Sequence, residues 1–218
     1  MTETPQWQLQ ISEAQLSSMT KELDEAHRES IPVMRKQAAL FAEELADTTP
    51  ATPERRLGRR GFLVGLGGVG ATLALAACSS SSSKGSAAAS SSTSAMASPS
   101  MSAAGGSQYT GDLKVVALAT ALENQAVAAY TAALAAATAG KLGTVPAAVG
   151  TFAQTAMAQH ADHAKAWNAV LSSANVPTIT GIPLSNQPQT LAALSAVTTV
   201  GGVANLALDL ENQAAQTY

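Results

Sequence analysis

The sequence predicts an all-α protein in which a helical bundle follows a disordered linker. Three observations support this fold class. From Gly111 onwards, long runs of helix-favouring residues, chiefly alanine, alternate with short segments rich in glycine and proline. No stretch of useful length alternates polar and apolar residues as a strand would. Residues 79–110 consist largely of serine, alanine and glycine, which cannot build a buried core.

The charges of the chain are unevenly distributed. The 218 residues carry a net charge of −3, which gives no reason to expect a nucleic-acid partner. Residues 1–58 hold ten of the fifteen acidic residues, and only five lie after residue 78. A single cysteine excludes an internal disulfide framework. We therefore divide the chain into a polar extension (1–58), a signal (59–78), a linker (79–110) and a helical domain (111–218).

The polar extension has the spacing of an amphipathic helix. Its apolar residues on one side are Leu16, Met19, Leu23 and Ala26. Pro32 should interrupt the helix, so we expect two short helices. Three interpretations are open: a long leader that is discarded, a start that is really at Met34, or a cytoplasmic hairpin that meets a partner before export. His27 has no ligand set nearby, and we expect it to be a solvated helix residue.

Residues 59–78 have the pattern of an export signal. Arg59 and Arg60 precede an uncharged, mildly apolar stretch, as in signals of the twin-arginine (Tat) pathway. The stretch ends in Leu-Ala-Ala before Cys78, which resembles a bacterial lipobox, so the thiol of Cys78 is expected to carry a lipid. A plain transmembrane anchor is the alternative. The expected location is the extracytoplasmic face of the bacterial membrane, with the Tat machinery and the membrane as partners.

The domain contains three long predicted helices. The first covers about 112–139 and the second about 146–173, and the short turn between them predicts an antiparallel hairpin. A proline-rich loop at 175–188 follows. The third helix starts near Gln189 and runs to the end of the sequence, with a kink expected at Gly201-Gly202. Because no capping residue ends it, we expect the sequence to stop within the third helix of a four-helix bundle.

Two copies of Leu-Glu-Asn-Gln-Ala place one glutamate in the first predicted helix and one in the third. Glu123 and Glu211 lie 88 residues apart, each on an apolar stripe. A buried carboxylate must be protonated, paired or bound to a metal. His160 and His163 share a face of the second helix and offer two imidazoles one turn apart. These four residues are the candidate metal ligands.

Residues 111–218 resemble the ferritin-like superfamily, in particular its exported bacterial domains. That fold is a four-helix bundle of two similar helix pairs, which explains the repeat, and residues 175–188 would be the crossover. The resemblance implies a di-iron or di-manganese centre. Glu123 and Glu211 match the glutamates of its first and third helices, and His163 matches the histidine of the second. His160 stands where the family has a glutamate, and the fourth helix lies outside the 218 residues.

Two functions from different classes therefore remain open. The first is an exported, lipid-anchored protein that binds Fe, Mn or Zn in the bundle core, with a mononuclear site among the possibilities. The second is a metal-free envelope module in which the glutamates and histidines form a buried polar network. A carrier of a small ligand has no specific feature in its favour. Whether the protein is an enzyme is not decided by these residues.

Overall fold

The computed structural model describes residues 11–47, 99–102, 106 and 108–217. These residues form five helices, and the only β pairing among them is an isolated bridge between Met101 and Leu184. The helices are α1 (Glu13–Asp47), α2 (Leu113–Thr138), α3 (Ala147–Ser173), α4 (Gln187–Ala196) and α5 (Val200–Thr217). The all-α prediction is confirmed.

Helices α2 and α3 form the predicted antiparallel hairpin. Gly140 follows α2 with a φ of 71°, and Lys141 N–H donates to the carbonyl of Ala136 at 3.0 Å. This arrangement ends a helix in the left-handed conformation that glycine adopts without a Cβ clash. Alanines at the interface, including the fully buried Ala117 and Ala121, allow the two helices to approach closely.

Helix α3 lies between α2 and α1 and packs extensively against both. The main core joins small residues of α1 and α2 to larger ones of α3 and the crossover. Its buried members include Ala38, Ala42, Val116, Ala121, Trp167, Val170, Leu171 and Ile179. The bundle therefore includes the N-terminal extension, which the sequence did not predict.

The prediction of two short helices before the signal is wrong, because α1 continues through Pro32 as one helix. Proline removes one backbone hydrogen bond inside a helix. Ile31 and Ala38, on either side of the proline, are both buried, whereas Pro32 itself is exposed. Burial of these neighbours against the domain offsets the lost hydrogen bond and keeps the helix continuous.

Part of the predicted linker packs against the domain. Ser102 N–H donates to the carbonyl of Pro183 at 2.8 Å, and Tyr109 is 1% exposed with its hydroxyl donating to the carbonyl of Pro177. The prediction that 79–110 is disordered is thus wrong for residues 99–102 and 108–110. Residues 79–98 lie outside the described part of the chain, as does the predicted signal at 59–78.

The third predicted helix is divided into α4 and α5. The break lies at residues 197–199, a few residues before the expected kink at Gly201-Gly202. Val197 is extended, and the Thr199 hydroxyl accepts a hydrogen bond from Gly202 N–H at 3.1 Å. This hydroxyl caps α5 at its N-terminus, which is why the new helix begins there. Among the described helices, none is long and apolar enough to cross a membrane.

Candidate metal centre

The two glutamates of the repeat meet at one histidine of α3. Nδ1 of His160 lies 2.7 Å from Oε2 of Glu123, and Nε2 lies 3.0 Å from Oε1 of Glu211. The side chains of His160 and Glu123 are 17% and 13% exposed, while that of Glu211 is 48% exposed. His160 thus connects α2 to α5 through α3, and the centre is closed on the Glu123 side and open on the Glu211 side.

The second histidine of α3 completes the cluster. Nδ1 of His163 lies 3.5 Å from Oε1 of Glu123, so that carboxylate has an imidazole at each oxygen. One donor atom from each of Glu123, His160 and His163 lies within 4.8 Å of the others, a spacing that could hold a metal ion. All four residues singled out in the sequence are therefore brought together.

The charges of the site stabilise one another in the absence of metal. Burial raises the pKa of Glu123, but hydrogen bonding to His160 and His163 outweighs burial and brings it to about 2. Burial lowers the pKa of His160, but the hydrogen bonds to Glu123 and Glu211 outweigh it and raise the pKa to about 10. The metal-free site is therefore a glutamate–imidazolium–glutamate arrangement at neutral pH.

A family comparison covers this half of the chain. Residues 111–218 match the model of the ferritin-like domain family. This part of the chain is a ferritin-like domain. The domain contains α2 to α5 and all four candidate ligands. No curated protein and no solved structure matched the chain.

The donor set of this ferritin-like domain fits a transition metal. Imidazole nitrogen and carboxylate oxygen are ligands that Fe, Mn and Zn accept. The 3.5 Å between His163 Nδ1 and Glu123 Oε1 is of the size that separates two donors bound to one ion at about 2.0–2.2 Å each. Among the described residues, two histidines and one glutamate form the cluster, with Glu211 adjoining it.

An aromatic residue of α2 covers the His160 ring. The ring of Tyr130 stacks on that of His160 with centroids 5.7 Å apart and planes 24° apart. Tyr130 is 9% exposed, and burial, followed by the negative charge of Glu211, raises the pKa of its hydroxyl. The tyrosine follows Glu123 by seven residues, which is two helical turns, so its place on the same stripe was implied by the helical spacing.

Helix α1 contributes a residue that sequence analysis misjudged. The side chain of His27 is 9% exposed, and its ring centroid lies 5.0 Å from that of His163. The expectation of a solvated histidine is therefore wrong. The buried residues of α1 include Thr20, Ile31 and Ala38 at heptad-like spacing, and the largely covered side chain of His27 lies on the same stripe. That spacing could have identified His27.

Asp162 belongs to the α1 interface rather than to the cluster. Its carboxylate lies 3.5 Å from Nε2 of His27 and 3.2 Å from Nη2 of Arg35. Burial lowers the pKa of His27 and the charge of His163 lowers it further, while Asp162 acts in the opposite direction.

Proposed function

We propose that the ferritin-like domain binds a divalent transition metal through Glu123, His160 and His163, with Glu211 on the open side, where it contacts the other ring nitrogen of His160. The observation that carries this proposal is the convergence of three donor groups from two helices within 4.8 Å. The carboxylate of Glu123 would offset part of the ion's charge, and the two imidazoles would complete a donor set that these metals accept. Fe, Mn and Zn are the candidate ions.

The residues of this chain have separate tasks in such a site. Glu123 would be the anionic ligand, because the neighbouring imidazoles keep it ionised. His160 and His163 would supply neutral nitrogens, so His160 must release its proton when metal binds. Glu211 is half exposed and would control access from solvent. A bound redox metal would supply electron-transfer chemistry, and zinc would supply a Lewis acid.

A metal-free module is the second candidate, and one observation favours it. Both ring nitrogens of His160 already have carboxylate partners, at 2.7 and 3.0 Å. A buried polar group that is fully paired has no need of a metal. In this alternative the cluster holds α2, α3 and α5 together, and the domain would serve as a binding or structural part of the cell envelope.

We further propose that the protein is exported by the Tat pathway and anchored by a lipid on Cys78. This proposal is supported by the sequence of residues 59–78 alone. Helix α1 precedes that segment, so signal cleavage before Cys78 would separate α1 from the domain. The contact between α1 and α3 would then exist only before the protein is exported and its signal is cleaved.

Titration of the full chain with Co²⁺, followed by visible absorption, tests metal binding. We expect d–d bands that saturate near one equivalent and disappear in Glu123→Gln and His163→Ala. Asp209→Asn is the matched control, because it removes a carboxylate of α5 two residues from Glu211, on another side of the helix. Absence of bands in a wild-type protein with a helical circular dichroism spectrum would favour the metal-free module.

A further inference from the structure

A second connection joins α2 to α5 away from the metal centre. Nε2 of Gln125 donates to Oδ1 of Asn186 at 3.3 Å, and Nδ2 of Asn186 donates to Oε1 of Gln213 at 3.1 Å. Asn186 is 1% exposed and Gln125 is 3% exposed. We call this connection the amide bridge, Gln125–Asn186–Gln213.

The amide bridge uses the same repeat as the metal centre. In each copy of Leu-Glu-Asn-Gln-Ala the glutamine follows the glutamate by two positions, Gln125 after Glu123 and Gln213 after Glu211. Two positions correspond to a rotation of about 200° around a helix. Each helix therefore presents its glutamate to His160 on one side and its glutamine to Asn186 on the other.

The α2 end of the bridge is firmly held. Besides its bond to Asn186, Nε2 of Gln125 lies 2.8 Å from Oε1 of Gln187 and 3.1 Å from Oγ1 of Thr190. Thr190 is 1% exposed and its hydroxyl also donates to the carbonyl of Asn186. Asn186 is thus fixed relative to α2 before it contacts α5.

Helix α5 has a smaller apolar contact with the rest of the domain than α2 and α3 have with each other. Its apolar contacts are a small cluster formed by Ala129, Leu206 and Leu210 with a few partly buried neighbours, and Ala214 packs against the main core. Polar side chains that reach from α5 to the rest of the domain add to the contacts that set its rotation. Glu211 reaches the site from α5 with a side chain that is 48% exposed.

We propose that Asn186 is a positioning residue of the metal centre: through Gln213 it fixes the rotation of α5 so that Glu211 meets His160. The inference rests on the proposed metal site and adds to it a device that positions Glu211, the carboxylate that holds the second ring nitrogen of His160. Each copy of the repeat then has two functions, a contact with His160 at its glutamate and a connection to Asn186 at its glutamine.

The test changes Gln213, because Asn186 is fully buried at the start of α4 and bonded to residues on both sides, so its replacement would disturb the fold more widely. Gln213→Leu keeps the size of the side chain and removes the bond to Asn186. Asn212→Leu is the matched control, since it alters the neighbouring amide of the same repeat. Co²⁺ affinity of the full chain is measured for each variant alone and combined with Glu211→Gln.

We expect Gln213→Leu to weaken Co²⁺ binding about tenfold, as losses of groups that orient a ligand do. In the Glu211→Gln background the same change should have less than about a twofold effect, because the carboxylate that it positions is gone. Asn212→Leu should have little effect in either background. If Gln213→Leu weakens Co²⁺ binding equally in both backgrounds, or does not weaken it at all, the amide bridge does not position Glu211.

A metal-free measurement keeps this inference separate from the proposed function. Spin labels on Cys residues replacing exposed Ala158 of α3 and Leu208 of α5, in a Cys78→Ser chain, report the distance between these helices. Gln213→Leu should broaden the distance distribution, and Asn212→Leu should not. A wild type that binds no Co²⁺ refutes the metal site alone, whereas unchanged distances in Gln213→Leu refute the positioning.

Discussion

Glu123 is the residue on which the site depends, because it is the most buried carboxylate of the cluster and has an imidazole at each oxygen. The hydrogen bonds to His160 and His163 keep it ionised despite burial. Glu211 differs, since nearly half of its side chain is exposed and water screens its charge. The two glutamates at equivalent positions of the repeat are therefore expected to contribute unequally to the free energy of unfolding.

Replacement of Glu123 by glutamine should destabilise the metal-free protein by about 3–5 kcal/mol, since it leaves the imidazolium of His160 without its closest counter-charge. Glu211→Gln should cost less than about 1 kcal/mol, because that pair is exposed. Urea unfolding at neutral pH in the presence of a chelator measures both. Equal losses of unfolding free energy in the two variants would contradict the difference in burial between Glu123 and Glu211.

The stability of the metal-free protein should depend on pH in a defined direction. The pKa of Glu123 is lowered from 4.5 to about 2, so its contribution is present above pH 4.5 and is lost as the pH falls towards 2. The pKa of His160 is raised from 6.5 to about 10, so its contribution is present below pH 6.5 and is lost as the pH rises towards 10. The site therefore stabilises the fold most between pH 4.5 and 6.5.

Urea unfolding across this range tests the pH dependence, with His160→Gln as the comparison. The difference in unfolding free energy between wild type and variant should be largest near pH 5–6 and shrink at higher pH. A difference that stays constant from pH 6 to 9 would show that His160 is not held in its charged form by the two glutamates.

Metal and proton should compete for His160. A metal ligand must be neutral imidazole, so binding displaces one proton while the pH is below the pKa of His160. Apparent Co²⁺ affinity should then rise about tenfold per pH unit between pH 6 and 8. Titrations at three pH values give the slope of the logarithm of Co²⁺ affinity against pH. A slope near zero would mean that His160 is not a ligand.

The candidate ligands could be predicted because the sequence patterns that identify them lie within single helices. The repeat places Glu123 and Glu211 at matched positions, and an i, i+3 spacing is enough to put His160 and His163 on one face. His27 could not be placed in the same way. Its environment is set by the packing of α1 against α3, and an amphipathic pattern does not say which surface will cover it.

At the level of elements, α1 shows how tertiary packing overrides a helix-breaking residue. The helix persists through Pro32 because its buried side contacts the domain on both sides of the proline. The position of the break between α4 and α5 likewise depends on a local interaction, the Thr199 cap, which Gly202 permits because a Cβ there would crowd Val197 and Thr199. Boundaries of this kind depend on contacts that a sequence pattern does not contain.

Pro32→Ala should stabilise α1, because it restores a backbone hydrogen bond at an exposed position of the helix. The gain should be about 1 kcal/mol or more, and it should appear as slower amide hydrogen exchange in residues 26–36. Ile31→Ala, which removes a buried contact beside the proline, is the opposing control. Faster exchange in Pro32→Ala would indicate that the ring itself contributes to packing.

For the whole molecule, the order of the segments constrains when α1 can contact the domain. Helix α1 packs against α3 in the full chain, yet the predicted signal lies between them in sequence. If the signal is used, the two are together before export and apart afterwards. The family and the bundle were predictable from helix lengths and the repeat, but this long-range contact between segments of different composition was not.

Export is tested by fractionation of cells that produce the chain. The membrane fraction should contain a form that begins at lipidated Cys78 and therefore lacks α1, as mass spectrometry would show. Replacement of Arg59 and Arg60 by lysine should leave the uncleaved chain in the cytoplasm, with α1 attached. Cys78→Ser should prevent lipidation, and an uncleaved, unlipidated wild-type chain in the membrane fraction would argue for a plain transmembrane anchor.

Metal content tests the central claim most directly. The full chain, purified without added metal or chelator, is analysed for iron, manganese and zinc beside His163→Ala, with the Asp209→Asn variant as the control. We predict close to one metal ion per chain in the wild type and the control, and loss of that metal in His163→Ala. A helical wild-type protein without metal would contradict the account and leave the Glu123–His160–Glu211 network as a structural link between helices.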